Sequence, residues 1–134
     1  LVNKKSMSKR DASGTLLVCK TTGRFLLIKR GRFGSYPGRW AIVGGGIDPG
    51  EEPLEAAKRE LWEETQINPT NIEYEFFELQ NELGTDFYFF IGYCDQEFEC
   101  KLNNENTDWG WFDMNTLPSP LIPLMKKSLN EIFN

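Results

Sequence analysis

Between Gly44 and Ile67 the chain runs from three consecutive glycines, through Asp48-Pro49-Gly50, into an acidic segment that closes Arg59-Glu60-Leu61-Trp62-Glu63-Glu64-Thr65-Gln66-Ile67. Pro53 suits a first helical turn, where a missing N–H costs nothing. Glu51, Glu52 and Glu55 around it complement the helix dipole. From Pro53 to Thr65 good helix formers dominate and no glycine intervenes, so this span is predicted to be a helix. Leu54, Ala57 and Leu61 share one stripe, which should meet a core. Glu60, Glu63 and Glu64, at i, i+3 and i+4, share another face. Three carboxylates on one turn repel one another, so a positive group is expected among them. Arg59 leaves the helix about 100° from Glu60 and is assigned to brace the loop through Glu51. A hard divalent cation, Mg²⁺ or Mn²⁺, answers the repulsion, because it prefers oxygen ligands. The glycines ahead of the helix let backbone groups come close to a metal or a phosphate. The plainer alternative is a solvated acidic helix with a Glu55–Arg59 surface pair, which leaves the glycine loop unexplained.

The rest of the composition narrows the chemistry. At 134 residues, 40% hydrophobic and 26% charged, the chain is long enough for one domain with a proper core. A net charge of −5 argues against a nucleic-acid polymer as partner, since such proteins show a basic footprint. It leaves room for a small phosphate ligand held by a few basic groups. Without histidine, a His-ligated zinc and a Ser-His-Asp triad are excluded. Cys19, Cys94 and Cys100 are odd in number and lack CxxC spacing. They read as reduced structural thiols of a cytoplasmic protein. Residues 1–13 read as a polar extension carrying Lys4, Lys5, Lys9 and Arg10, with Met7 as a candidate start and no apolar run for a signal peptide. No stretch approaches the ~18 apolar residues of a membrane span, so no membrane partner is expected. A single domain is expected over 14–134.

Along that domain, Gly14–Lys20 and Arg24–Lys29 flank Thr21-Thr22-Gly23 as a β-hairpin. The Gly- and Pro-rich segment Gly31–Arg39 is a loop. Arg30, Arg32 and Arg39 around it are either solvated charges or guanidinium forks for phosphate. Trp40–Val43 should be a strand that feeds the glycines, with Trp40 in the core. After the acidic helix, Asn68-Pro69-Thr70-Asn71 breaks the chain. Ile72–Leu79 and Asp86–Cys94 read as strands around a turn at 81–85, the second aromatic and central in the sheet. Its aromatics are core residues, with Phe87 or Tyr88 as the alternative lining of a base-stacking pocket. Glu97–Leu102 reads as a short edge strand, and 109–112 (Trp-Gly-Trp-Phe) as a further strand. Pro123–Phe133 carries Leu124, Leu129, Ile132 and Phe133 at helical spacing.

The 23 residues from Gly45 to Ile67 resemble the Nudix box, G-x5-E-x7-R-E-U-x-E-E-x-G-U, with U a bulky aliphatic. Gly45, Glu51, Arg59, Glu60, Leu61, Glu63, Glu64 and Ile67 match in register, and Gln66 stands where the box has its last glycine. Val43 stands where many relatives have proline. The resemblance implies an α/β fold, an α/β/α sandwich with a mixed sheet, and metal-dependent hydrolysis of a phosphoanhydride. It implies Glu60, Glu63, Glu64 and the Gly45 carbonyl as ligands of Mg²⁺ or Mn²⁺. Glu105, in the loop six residues before Trp111, matches a further glutamate that reaches the metal in some relatives. The general base is Glu60 or Glu105, with Glu60 favoured. Arg59 orients the carboxylates and Glu51 anchors the loop. Arg30, at a strand end where relatives carry a substrate-binding basic residue, is assigned to substrate together with Arg39, Gly44 and Gly45.

Substrate markers used elsewhere in the family are absent. Positions 83–85 (Leu, Gly, Thr) lack the tyrosine of dinucleoside polyphosphate hydrolases, and position 82 is Glu rather than the proline of ADP-ribose hydrolases. Leu121 occupies the place of an asparagine that reads oxidised guanine in one relative. The expectation is a (d)NTP pyrophosphohydrolase releasing a monophosphate and pyrophosphate. ADP-ribose, NDP-sugars or dinucleoside polyphosphates are the alternative substrates. A nucleotide sensor without catalysis is the alternative of another class, set against by the complete set of box glutamates. Many Nudix proteins dimerise, and the aromatic strands offer a surface for a homodimer.

Overall fold

The apolar runs on either side of Thr21-Thr22-Gly23 pair as an antiparallel hairpin of β1 (Ala12–Cys19) and β2 (Phe25–Arg30), in register at Val18 and Phe25. The computed structural model describes residues 10–82 and 84–134, so most of the polar extension, Met7 included, lies outside the described residues. Strand β1 begins at Ala12, inside the predicted extension, because Ala12 and Ser13 pair with Gly46 and Gly45.

The predicted strand Trp40–Val43 is divided. Its first half, β3 (Trp40–Ala41), pairs with β2, and its second continues into the glycines as β4 (Val43–Gly46), which pairs with β1. The chain thus changes partner at Ile42, and the glycines are strand rather than free loop. Helix α1 (Pro53–Thr65) follows, then a single 3-10 turn at Pro69–Asn71. Strands β5 (Glu73–Glu82) and β6 (Thr85–Cys94) form a long hairpin. Strand β6 runs parallel to β1 from Ala12↔Phe87 to Cys19↔Cys94, which makes it central as expected. Strand β7 (Asn106–Phe112) pairs with β2, and helix α2 (Met125–Phe133) ends the chain.

Strand alternation sorts the apolar residues onto two faces. Leu17, Cys19, Leu26, Ile28 and Val43 pack with Leu61 of α1, whereas Leu16, Val18, Phe25, Leu27 and Phe89 pack with Met125 and Leu129 of α2. The product is an α/β/α sandwich on a mixed sheet. Ala57 and Leu61 of the predicted stripe are fully buried, as is Ala56. Trp40 is core, edge-on to Phe112 at 5.4 Å. The three cysteines are buried free thiols.

Two expectations are corrected. Residues 97–102 form no ladder. Isolated contacts hold them instead: the two-pronged Arg24–Glu97 pair, Trp111 Nε1–H to the Phe98 carbonyl, and Lys101 N–H to the Thr65 carbonyl. Cys100 is buried and turned into the core. The last helix starts at Met125 rather than Pro123, because Leu124 sits in a left-handed conformation (φ 70°) with its side chain half exposed. Among the described residues, no helix is long and apolar enough to cross a membrane.

Candidate active site

Helix α1 is capped and tied to β1 at its first turn. Glu52 and Glu55 form a capping box, with Glu52 N–H donating to Glu55 Oε1 at 2.8 Å. Ser13 Oγ on β1 donates to the Pro53 carbonyl at 2.7 Å. Glu55 is therefore used in the cap, and the plain Glu55–Arg59 surface pair is not what the helix presents. At its far end Gln66, in the glycine position of the box, takes the left-handed cap itself (φ 61°) and donates its N–H to the Trp62 carbonyl.

Arg59 is the hub. Its Nε donates to Glu51 Oε2 at 2.8 Å, and its Nη2 to Glu51 Oε1 at 3.0 Å and to the Gly46 carbonyl at 2.9 Å. The predicted brace is thus a bidentate fork. The sequence also sends Arg59 away from the glutamates, and here the structure differs. The long side chain turns back, so that Nη1 donates to Glu60 Oε2 at 3.0 Å and to Glu63 Oε1 at 2.9 Å. Arg59 holds the Glu51 carboxyl down at about 2, well below the usual carboxylate range, and these partners raise Arg59 in turn.

Glu60 and Glu64 are buried at 7% and 4% exposure, whereas half of the Glu63 side chain is exposed. Burial first, and the neighbouring Glu60 second, push the Glu64 carboxyl well above its ordinary range. Asn106 at the start of β7 donates Nδ2–H to Glu64 Oε1 at 2.9 Å. Gly45 lies so close that a Cβ there would stand 2.5 Å from the Glu60 carboxyl carbon, so any larger residue would displace that carboxylate. Glu105 is exposed, its Oε2 accepting from Asn103 at 3.0 Å, yet its charge is felt by both Glu64 and Arg30.

Among the described residues, no three acidic or thiol side chains converge as a finished cage; Glu63 is turned to Arg59. The donor set still fits a hard divalent cation. All of it is oxygen, and two of the carboxylates are buried with their mutual repulsion incompletely answered. Turning Glu63 inward gives up only a half-exposed ion pair, worth about 0–1 kcal/mol.

Gly44, Gly45 and Gly46 also line a cleft of about 570 Å³, together with Arg10, Arg30, Tyr36, Phe87 and Phe89. Arg30 is poorly partnered. Its Nε is buried without a hydrogen-bond partner among the described residues, and Nη1 reaches only Ser35, at 3.3–3.4 Å. Burial pulls its pKa down, against the pull of Glu64. Tyr36, in a left-handed conformation (φ 50°), ties the 31–39 loop to β5 through Oη–H to Glu82 Oε1 at 2.6 Å.

The glutamates, Arg59, Glu51, Gly44, Gly45 and Arg30 thus meet around one strand. Arg39 does not: it donates to the Leu121 carbonyl at 3.0 Å, outside the cleft lining. Phe87 faces the cleft and Tyr88 does not. Sequence reading missed Arg10, which lies against Gly46 and pairs with Asp48 at 3.5 Å, and it missed Asn106. The one signal for Asn106 was its place directly after Glu105.

A family model described as NUDIX domain matches residues 8–132. Among curated proteins, the chain is 33% identical to an RNA pyrophosphohydrolase of Bartonella henselae, over 72% of this chain and 69% of that one. It is 32% identical to the nucleoside triphosphatase NudI of Escherichia coli, over 71% and 79%. Among solved structures, a MutT NUDIX hydrolase from Burkholderia pseudomallei superposes with a TM-score of 0.74 at 25% identity, covering 92% of this chain and 98% of the other. The geometry around the glycine strand and these likenesses agree: the chain belongs to the Nudix family, hydrolases acting on the pyrophosphate bonds of nucleotides.

Proposed function

We propose that the protein cleaves a nucleoside triphosphate, (d)NTP, into a monophosphate and pyrophosphate with Mg²⁺ or Mn²⁺ as cofactor, in the cytoplasm. One observation carries this reading. Gly45 lies against the Glu60 carboxylate, and with Gly44 and Gly46 it lines a cleft that offers the Phe87 ring for a base and an unsatisfied arginine for phosphate. Glu60, Glu63, Glu64 and the Gly45 carbonyl would hold the cation. Held there, it supplies charge neutralisation at phosphate oxygens and a more acidic water.

The remaining work falls to the chain. Arg30 takes phosphate oxygens in place of Ser35. Arg59 holds the Glu60 carboxylate through Oε2, and Glu51 keeps Arg59 in place. Glu60 Oε1, the oxygen that Arg59 leaves free, accepts the proton of the attacking water. Glu105, standing near Glu64 and Arg30, is the alternative base. Catalysis is mostly placement and charge stabilisation.

The likeness to a protein named nucleoside triphosphatase supports free triphosphates. A second reading, the terminal triphosphate of an RNA, is favoured by several relatives named RNA pyrophosphohydrolase, and it is the same bond chemistry on a longer substrate. A panel of NTPs, dNTPs, 5′-triphosphate RNA, ADP-ribose, NDP-sugars and dinucleoside polyphosphates, with products separated chromatographically, tests the choice. Monophosphate plus pyrophosphate from free nucleotides is expected. Turnover confined to RNA ends moves the protein to the second reading. AMP plus ribose 5-phosphate from ADP-ribose overturns both. Metal binding with no turnover on any substrate points to the sensor reading.

A further inference from the structure

One side chain lining the cleft has an orientation that chemistry forces. Gln80 on β5 lies opposite Phe87 on β6. Its Nε2 donates to Glu78 Oε2 at 2.9 Å and to Ser128 Oγ at 2.9 Å. A carboxylate only accepts hydrogen bonds, so the amide nitrogen, and not its oxygen, must face Glu78. Both amide hydrogens are then used, one across to nearly buried Ser128 on α2. Gln80 Oε1 has no hydrogen-bond partner among the described residues. Beside it the half-buried Phe87 ring, backed edge-to-face at 6.2 Å by buried Phe89, makes an apolar wall. An aromatic wall with one fixed acceptor matches a planar heteroaromatic ring that carries an N–H at its edge.

We propose that Gln80 reads the nucleobase: its Oε1 accepts a hydrogen bond from an amino or ring N–H of a base seated against Phe87. Glu78 is the positioning residue that keeps the acceptor turned to the cleft. The proposal rests on the nucleotide reading of the cleft but concerns the base, not the bond cleaved. An acceptor left facing a base edge of bare C–H loses its partner and disfavours that base.

The test is calorimetric binding of nucleoside monophosphates, which have no anhydride to cleave, to the full chain with Mg²⁺. The set is AMP, GMP, CMP and purine riboside monophosphate, whose base edge carries no N–H. The tightest amino-bearing nucleotide should bind about tenfold better than the purine riboside form. Gln80→Met should bring the two within about twofold. Glu78→Gln keeps Gln80 but frees the amide to turn over, and it should narrow the difference. Should Gln80→Met fail to fold, Glu78→Gln decides. Unchanged preference in the variant that decides, or no preference in the wild type, overturns the proposal. A Gln80-dependent preference without hydrolysis of any triphosphate would sink the proposed reaction and leave the base reading standing. Hydrolysis without base preference would do the reverse.

Discussion

The two sides of the glycine strand use their arginines in opposite ways. On the helix side Arg59 donates to three carboxylates and a carbonyl, and its own charge is reinforced by them. On the cleft side Arg30 has one long, shared contact to Ser35, an Nε without a partner among the described residues, and a charge that burial opposes. A saturated guanidinium builds structure, since every donor it owns fixes some other group. An unsaturated one is held at a cost that a bound anion would relieve. The contrast separates scaffold from recognition within one small site.

The hardest blow to the helix side is removal of a carboxylate charge. Glu63→Gln and Glu64→Gln should each lower turnover at least about 100-fold with the fold intact; near-normal rates from both purified variants would remove the metal assignment. The arginine contrast is broken or sharpened next. Arg30→Gln should raise KM about tenfold or more while leaving Tm nearly unchanged. Arg59→Gln should cost about 2 kcal/mol, or several degrees of Tm by calorimetry. Equal losses of Tm would erase the distinction.

A smaller effect concerns the anchor of Arg59. The Glu51 carboxyl is held at about 2 in the fold, below its ordinary value near ~4.3. The stability it contributes is therefore present above that ordinary value and lost as pH falls toward 2. Glu51→Gln should lower Tm at pH ~7 and converge with the wild type near pH ~2, as melting curves across that window would show. A constant gap at every pH would mean that packing, not charge, sets the contribution. The mildest change is Gln66→Gly at the left-handed cap, which should raise stability by about 1 kcal/mol without altering kcat. A loss in denaturant unfolding would show that the Gln66 side chain contributes something the cap geometry does not.

How much of this was legible in the sequence follows from range. The Glu51–Arg59 brace, the acidic face and the helix bounds are fixed by spacing inside one short segment, where helix geometry converts sequence distance into space. The two buried faces follow from strand alternation. The cleft is different. Arg30, Phe87, Gln80 and Ser128 are brought together by β-pairing and by α2 packing from the opposite side, and no local period announces such a meeting. The residue type of Arg39 suits a phosphate, which is why the sequence assigns it to substrate, yet its direction depends on the Leu121 carbonyl from the far end of the chain. The predicted strand over 97–102 failed for a related reason. Its composition suits a strand, but the neighbouring chain offers it isolated hydrogen bonds rather than a ladder.

The parallel pairing of β1 with β6 has a consequence for the order in which the protein forms. Ala12 meets Phe87 and Cys19 meets Cys94, so the last of β1's three strand partners, after β2 and β4, arrives only after more than half of the domain has been made. Contacts so distant along the chain slow folding, because the intervening loop must close before they repay its entropy. On the ribosome, where synthesis proceeds N-terminal end first, the apolar residues of β1 are present long before β6 emerges. A nascent chain stopped before Thr85 would hold the whole Nudix box and still lack the strand that joins β1 to the β5 edge of the sheet.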